Sequence, residues 1–295
     1  MHTEFQRDGP LEPLCPLCLV CSLFRFVLTL ALILFAGMLF AQEKSFVICY
    51  SPNAPVKELA RYDVIVVDYA FPPAAVAALS KQRKAVLGYL SLGKVHNARP
   101  FVRDVRKLKI GLVPDQAFPD SFRVDVADPN WHKLVTQLIV PGMKKTGFSG
   151  LFLDDLDDIG ARKLQKEGAA LIAAIRKAHP RLLLMANRGL EYLPDFAENI
   201  DYSLLESCFV LGGKLRPEAD SAWALDKLES GKKANPKLIG FAVDYYAQTG
   251  VAPLTRTQQE LIDSVRALHQ KSELRSCVTT EDLQELPPRG SNLKE

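Results

Sequence analysis

Eight short apolar runs, separated by segments with helical periodicity, limit the possible folds of this chain most strongly. Each run is nearly continuous in apolar character, which is typical of strands buried on both faces of a parallel sheet. The runs cover residues 46–50, 64–69, 85–91, 151–154, 182–187, 202–206, 238–243 and 274–278. Eight such strands with intervening helices predict an α/β fold, a closed (β/α)₈ TIM barrel. An open doubly wound sheet is the alternative, but the first run is not followed by a glycine-rich nucleotide-binding turn.

The segments between the runs predict several helices. Residues 160–178 carry apolar side chains at helical spacing, and Thr257–Glu260 has the pattern of a capping box at the start of another helix. Residues 131–145 are also helical in pattern, and Pro141 should kink or split that helix. The connection from strand three to strand four, residues 92–150, is a long insertion that should hold more than one helix and shape an active site.

The N-terminal segment differs from the rest and divides the chain into residues 1–41 and a barrel over residues 42–295. Arg25 precedes an uncharged apolar stretch that ends at Ala41, as in an export signal. The stretch is shorter than the roughly 20 residues of a spanning helix. A cleaved signal, an anchor and a misassigned start codon that adds residues 1–22 all stay open. We expect a secreted, periplasmic or cell-envelope protein that meets the membrane only through residues 17–41, if these are retained.

Composition excludes several functional classes. The formal net charge is +3 and no block of like charges occurs, so nucleic acid is a poor candidate partner. Cys49, Cys208 and Cys277 are expected to be buried apolar residues without a disulfide framework, and the N-terminal cysteines lack a second pair of metal ligands. We expect a monomer that needs no cofactor.

Reactive side chains stand where the apolar runs end. In a barrel the active site is built at the C-terminal ends of the strands, so these side chains should converge. They are Tyr50, Asp68, Tyr69, Tyr89, Asp154, Asp155, Asn187, Arg188, Glu206, Asp244 and Tyr245. Several carboxylates on one face of a barrel suit glycoside hydrolysis, in which one carboxyl group protonates the leaving oxygen and a second attacks or activates water. Tyrosine, amide and guanidinium groups would then bind sugar hydroxyls and rings.

Each of these residues also has a plainer interpretation. The aspartates that follow strand four could cap the next helix, Asp68 could pair with a buried arginine, and Asn187 could only make a turn with Gly189. The aspartate cluster lacks the glycine and downstream glutamate of a calcium loop, so we expect no metal. A class I aldolase would need a buried lysine, and Lys94, just past strand three, is expected to be exposed. No serine elbow accompanies the histidines.

Several segments together resemble glycoside hydrolase family 114, the endo-α-1,4-polygalactosaminidase-like barrels. The segment from Val47 to Asp68 resembles the family opening, and Gly88-Tyr-Leu-Ser-Leu-Gly93 is similar to its third-strand motif. Further segments follow in order. They are Val124-Asp-Val-Ala-Asp-Pro-Asn-Trp131, Gly147-Phe-Ser-Gly-Leu-Phe-Leu-Asp154, Asn187-Arg-Gly189, Leu205-Glu-Ser207 and Cys277-Val-Thr-Thr-Glu-Asp-Leu283.

The resemblance implies that Asp154 and Glu206 form the catalytic pair. By analogy with α-retaining barrels, Asp154 is expected to be the nucleophile and Glu206 the general acid/base. The resemblance also implies a polysaccharide substrate that contains α-1,4-linked galactosamine, and a non-catalytic sugar-binding barrel is the alternative. Many relatives carry an acidic residue after the glycine of the third-strand motif. Lys94 stands there in this chain, which bears on the charge of the sugar.

Overall fold

The computed structural model describes residues 45–250 and 253–288. The predicted signal or anchor over residues 1–41 lies outside these ranges, so export stays a prediction. Within the described ranges, every helix is too short or too polar to cross a bilayer.

A single sheet of parallel strands forms the centre of the described chain. Its strands, in spatial order, are β1 (Phe46–Ile48), β2 (Val64–Val67), β3 (Ala85–Ser91), β7 (Gly150–Asp154), β8 (Leu183–Asn187), β9 (Tyr202–Glu206), β12 (Ile239–Ala247) and β13 (Arg275–Thr280). The first and last strands pack against each other, and beyond the end of β13 the Leu283 carbonyl accepts a hydrogen bond of 2.7 Å from the Tyr50 amide. The sheet is therefore a nearly closed eight-stranded barrel, and all eight predicted strands are confirmed.

The long connection after β3 contains a small antiparallel sheet that the sequence analysis did not predict. Its strands are β4 (Lys94–His96), β5 (Leu112–Pro114) and β6 (Ser121–Val124), in the order β4-β6-β5. These strands are three or four residues long and only partly buried, so they carry little apolar periodicity. The prediction of more than one helix in this connection is confirmed.

Helices and turns connect the strands. The helices are α1 (Val56–Leu59), α2 (Pro73–Lys81), α3 (Val102–Lys107), α4 (Pro129–Leu134), α5 (Val140–Thr146), α6 (Leu156–Ala161), α7 (Gln165–Ala178), α8 (Glu218–Ala234) and α9 (Arg256–Lys271). A π-helical turn, Val135–Ile139, separates α4 from α5. Two 3₁₀ turns, Leu190–Asp195 and Ala197–Asn199, follow β8, and a hairpin of β10 (Val210–Leu211) and β11 (Lys214–Leu215) follows β9.

Two helix predictions need correction and one is confirmed. Residues 160–178 form two helices, α6 and α7, with a break at Lys163, whose φ is +60°. The capping box lies two residues earlier than predicted, between Thr255 and Gln258. Pro141 does interrupt a longer helix, because its missing N–H leaves a gap in the hydrogen-bond ladder that the π turn accommodates.

Alternate residues of each barrel strand point to the barrel interior. The inner cluster includes Leu87 of β3, Phe152 of β7, Met185 of β8, Leu204 of β9 and Val243 of β12. The residues between them belong to an outer cluster that packs against the helices. Since side chains alternate with a period of two, a residue two positions beyond an inner residue also faces the barrel axis. This parity decides which strand-end side chains can meet.

Candidate active site

A cavity of about 380 Å³ opens at the C-terminal end of the barrel. Nine of the eleven predicted site residues line it, each following the end of a strand or lying within one. They are Tyr50, Asp68, Tyr69, Tyr89, Asp154, Asp155, Asn187, Glu206 and Tyr245. Seven of them lie an even number of positions from an inward-facing residue of their own strand, a position that we call the inner parity. Tyr69 and Asp155 lie one position further along and have the outer parity, but both still border the cavity.

Asp154 and Glu206 lie at the centre of this cavity and share one hydrogen-bond donor. Asn187 Nδ2 donates to Asp154 Oδ1 at 2.9 Å and to Glu206 Oε2 at 2.7 Å. The two acceptor oxygens therefore lie no farther apart than the sum of these two distances. The amide orientation follows from the charges, because its carbonyl oxygen would otherwise face two carboxylates. The alternative that Asn187 only makes a turn with Gly189 is therefore wrong, because its side chain bridges the two carboxyl groups.

Two tyrosines donate to the same pair of carboxyl groups. Tyr245 Oη donates to Glu206 Oε1 at 2.7 Å, and Tyr89 interacts with Asp154. Burial first, and then the neighbouring carboxylates, raise the pKa of Tyr89 and of Tyr245 well above the ordinary value. Both phenols consequently stay protonated and act as donors. They stabilise negative charge on Asp154 and Glu206.

The pKa of Asp154 is raised by burial and, next, by the charge of Glu206. Hydrogen bonds from Asn187 and Tyr89 oppose the increase. The pKa of Asp155 is also raised, by burial and then by Asp154, while Ser91 and Lys94 oppose it. Two close carboxylates resist carrying two charges, which is why the charge of Glu206 adds to the effect of burial on the pKa of Asp154.

Asp68 forms an ion pair with Arg99 at the side of the cavity. The guanidinium bonds both carboxylate oxygens, at 3.1 and 2.9 Å, and lies 5.6 Å from the ring of Tyr69 and 5.4 Å from that of Tyr89. Burial alone would raise the pKa of Asp68, but the bonds from Arg99 and the backbone bring it below its ordinary value. The alternative that Asp68 pairs with an arginine is therefore confirmed, and the pair itself borders the cavity.

Lys94 is not exposed as predicted. Its side chain is 15 % exposed, and Nζ lies 3.1 Å from a carboxylate oxygen of both Asp115 and Asp155. These two carboxylates raise the pKa of Lys94 against the effect of burial, so the amine stays charged. A lysine held as a cation between two acids is unsuited to the Schiff-base chemistry of an aldolase.

Two predicted contact residues, Asp244 and Arg188, do not reach the cavity. Asp244 has the outer parity of β12 and is fully buried, where Oδ2 contacts His269 Nε2 at 2.7 Å and Oδ1 accepts from two backbone amides. Arg188 pairs with Asp157, and its φ of +57° is followed by the left-handed Gly189. A Cβ on Gly189 would approach Leu156 to 2.7 Å, so a glycine is needed where the chain turns away from the site.

The remaining aspartates after β7 have structural partners. Asp157 Oδ1 accepts from the Gly189 amide at 2.8 Å, and Asp158 pairs with Arg123 and Arg162. The helix-capping interpretation of Asp155 is wrong, because its side chain makes no cap and instead pairs with Lys94. Within the two described ranges, no group of three or more His, Cys, Asp or Glu side chains could hold a metal ion.

The long connection after β3 adds cavity residues that the sequence analysis did not predict as site residues. They are Lys94, His96, Arg99, Phe101, Phe118 and Ser121. None of them follows a barrel strand directly, apart from Lys94, and the small strands that carry or flank them have no periodic signal. Charge pairing with strand-end acids was the available clue, because partly buried carboxylates such as Asp68 and Asp155 favour a cation nearby.

Comparisons with known proteins agree with the geometry. The model of glycoside-hydrolase family GH114 matches residues 36–287. The glycoside hydrolase domain of PelA from Pseudomonas aeruginosa is 25 % identical, with a TM-score of 0.69 over 85 % of this chain and 99 % of that domain. Aspergillus fumigatus Ega3, solved in complex with galactosamine, shares the fold at 14 % identity and a TM-score of 0.64, over 83 % and 94 % of the two chains. No curated protein matches the chain.

Proposed function

Because the chain belongs to glycoside-hydrolase family GH114, we propose that it hydrolyses an α-1,4-linked polysaccharide that contains galactosamine. The observation that carries the proposal is the Asp154–Asn187–Glu206 arrangement at the base of the cavity. It places two carboxyl groups close enough to act on one glycosidic bond, one as acid and the other as nucleophile or base. Ega3, which has the same fold, was solved with galactosamine.

The spacing of the two carboxyl groups supports retention of anomeric configuration. Retaining enzymes place them about 5–5.5 Å apart, whereas inverting enzymes need about 6.5–9.5 Å to admit a water. One bridging amide nitrogen, 2.9 and 2.7 Å from an oxygen of each group, fits the shorter spacing. In the first step one carboxylate attacks the anomeric carbon while the other carboxyl group protonates the leaving oxygen. In the second step water, deprotonated by the second group, displaces the enzyme carboxylate.

We assign Asp154 as the nucleophile and Glu206 as the general acid/base. Asp154 accepts from Asn187 and interacts with Tyr89, which favours its ionised form. The charge of Glu206 is, after burial, the second cause of the raised pKa of Asp154, so a protonated Glu206 acting as the acid favours the ionised Asp154 that a nucleophile requires.

Azide decides between the two orders. With an activated α-glycoside, azide should rescue Asp154→Ala to a β-glycosyl azide and Glu206→Ala to an α-glycosyl azide. The reverse pattern, read by nuclear magnetic resonance of the products, would exchange the two roles.

Lys94 does not repel a cationic sugar as an isolated charge would. Its ammonium is balanced by Asp115 and Asp155, and the carboxylates of Asp154 and Glu206 lie in the same cavity. An amino sugar therefore meets a cavity whose central charge is negative.

A reducing-end assay against a panel of amino-sugar polymers tests the function. We expect Asp154→Asn and Glu206→Gln each to lower kcat by about 10³-fold or more, since each removes a carboxyl group that takes part in both chemical steps. Glu191→Gln is the matched control, because Glu191 is exposed and lies on the connection after β8. Polymer binding by the wild type without release of reducing ends would instead show a sugar-binding barrel.

A further inference from the structure

Part of the cavity wall comes from the inserted antiparallel sheet. Phe118 lies in the turn between β5 and β6, and it lines the cavity together with Lys94 and His96 of β4. The carboxyl pair lies on β7 and β9, so this wall belongs to a different structural unit from the chemical centre. A residue on it can contact a part of the substrate other than the bond that breaks.

Phe118 is unusually exposed for a side chain in such a position. The Phe118 side chain is 58 % exposed. Among the strongly exposed large apolar side chains in the described ranges, it is the one that borders this cavity. Exposure of an apolar phenyl ring to water is unfavourable. Aromatic rings at the edge of a polar cavity offer flat apolar faces to a ligand.

The turn that carries Phe118 is held in place by hydrogen bonds to Asp115. Asp115 is buried, and its Oδ1 accepts from the amides of Ala117 at 2.8 Å and Phe118 at 3.3 Å. The Phe118 carbonyl accepts from Ser121 at 2.9 Å. Asp115 Oδ2 lies 3.1 Å from Lys94 Nζ, which is itself paired with Asp155 beside the catalytic strand end. The ring is therefore presented by a preorganised turn, which lowers the entropy cost of binding.

Lys94 also orients the ring. Its Nζ lies 5.0 Å from the ring centroid, within the range of a cation–π contact. Lys94 thus connects three parts of the site, since it contacts the ring of Phe118, the turn through Asp115, and the end of β7 through Asp155. These contacts link the ring, through Lys94, to Asp155, the residue that follows Asp154.

We propose that Phe118 is a sugar-stacking platform that binds a pyranose unit of the polymer next to the unit being cleaved. The apolar C–H face of the pyranose covers the exposed part of the ring, and Lys94 and Asp115 hold the ring in place. The proposal rests on the proposed glycosidase function and deepens it, because it assigns to the inserted sheet the recognition of chain length.

The test compares a long substrate with a short one. For partially N-acetylated α-1,4-galactosamine oligosaccharides, we expect Phe118→Ala to lower kcat/KM about tenfold, mainly through KM. For α-galactosaminyl fluoride, whose leaving group is a single atom, we expect no change. Phe118→Trp should restore activity on the oligosaccharide, because it returns an aromatic face.

Trp223→Ala is the matched control. Trp223 is also exposed, at 44 %, and Lys227 Nζ lies 6.0 Å from its ring, but it lies on α8 and outside the cavity. If Phe118→Ala behaves like Trp223→Ala on the oligosaccharide, the platform is wrong. An equal loss on the fluoride would also overturn it, because Phe118 would then act on the carboxyl pair.

A binding measurement tests the stacking platform independently of the proposed hydrolytic function. Calorimetric titration of the oligosaccharide into Asp154→Asn, with and without Phe118→Ala, needs no hydrolysis. A tenfold weaker affinity in the double variant supports the platform even if the polymer is not cleaved. Equal affinities remove the platform and leave the glycosidase proposal intact, whereas no binding to either protein would overturn both.

Discussion

Glu206 and Asp244 are two carboxylates on neighbouring strands, each preceded by a run of apolar residues, and they have opposite surroundings. Glu206 has the inner parity of β9 and receives hydrogen bonds from Asn187 and Tyr245 at the cavity. Asp244 has the outer parity of β12 and is enclosed by His269 and the amides of Phe209 and Val210. One residue of offset along a strand therefore separates an acid that can meet substrate from an acid that holds the barrel to α9.

Asp244 also fixes the loop that leaves Glu206. The amides of Phe209 and Val210 donate to Asp244 Oδ1 at 2.9 and 2.7 Å. His269, on α9, is fully buried and closes the other side of the carboxylate. The outer acid is thus structural, whereas the inner acid is open to chemistry.

The largest expected effect on stability comes from Asp244→Ala. The substitution leaves His269 and two backbone amides buried without their acceptor, so we expect a loss of about 3–5 kcal/mol in the free energy of unfolding. Urea unfolding measures the loss. Asp244→Asn keeps one acceptor oxygen and should lose less, which makes it the usable variant if the alanine protein does not fold. A stable Asp244→Ala protein without activity would contradict the structural role.

A smaller effect is expected from Tyr245→Phe, which removes the hydroxyl that donates to Glu206 at 2.7 Å. Hydrogen bonds to charged groups contribute about 1.5–3 kcal/mol, so kcat should fall at least about tenfold. Tyr246→Phe is the matched control, because the next residue along β12 packs in a separate outer cluster. Steady-state rates of the two variants make the comparison, and equal rates would show that parity does not separate their roles.

The smallest effect is a pH dependence of stability. The pKa of Asp154 is raised in the folded protein, so above the ordinary value of 3.8 the folded state binds more protons than the unfolded chain. The free energy of unfolding of the wild type, relative to Asp154→Asn, should therefore fall as the pH rises from 3.8 through the raised pKa. Urea unfolding at a series of pH values measures this difference.

For Asp68→Asn we expect the opposite pH dependence of the free energy of unfolding of the wild type relative to the variant. The pKa of Asp68 is lowered by Arg99, so its contribution to stability is present above the ordinary value and is lost as the pH falls through the lowered pKa. If both variants showed the same pH trend, the opposite directions of the two pKa shifts would be wrong.

Much of the fold and several residues of the candidate site could be predicted from the sequence. Buried parallel strands must be apolar, so the eight strands were visible, and the barrel places all their C-terminal ends together. Which residues of β12 face the barrel interior could not be read from the sequence, because this run is nearly continuous in apolar character and the alternation from Phe241 to Tyr245 appears only in the packing. Applied strand by strand, the observed parity excludes Asp244 and Arg188, but it would also exclude Tyr69 and Asp155, which border the cavity.

Other features are set by contacts between distant segments. Lys94 looks exposed in the sequence because polar residues follow it, yet Asp115 and Asp155 enclose it. The small strands that present Phe118 are stabilised by pairing with one another and by the buried Asp115, and local propensity does not reveal them.

The sequence by itself determined the barrel strands and the acidic residues that close them, because apolar runs and the residues that follow them are local properties of the chain, whereas the family resemblance singled out Asp154 and Glu206 among those acids. Only the tertiary structure decided which groups surround those carboxylates. Asn187 joins Asp154 to Glu206, Lys94 becomes a paired cation, and the inserted sheet supplies a wall of the cavity. Each of these depends on segments far apart in sequence, whose charges and hydrogen bonds are satisfied only when the barrel brings them together.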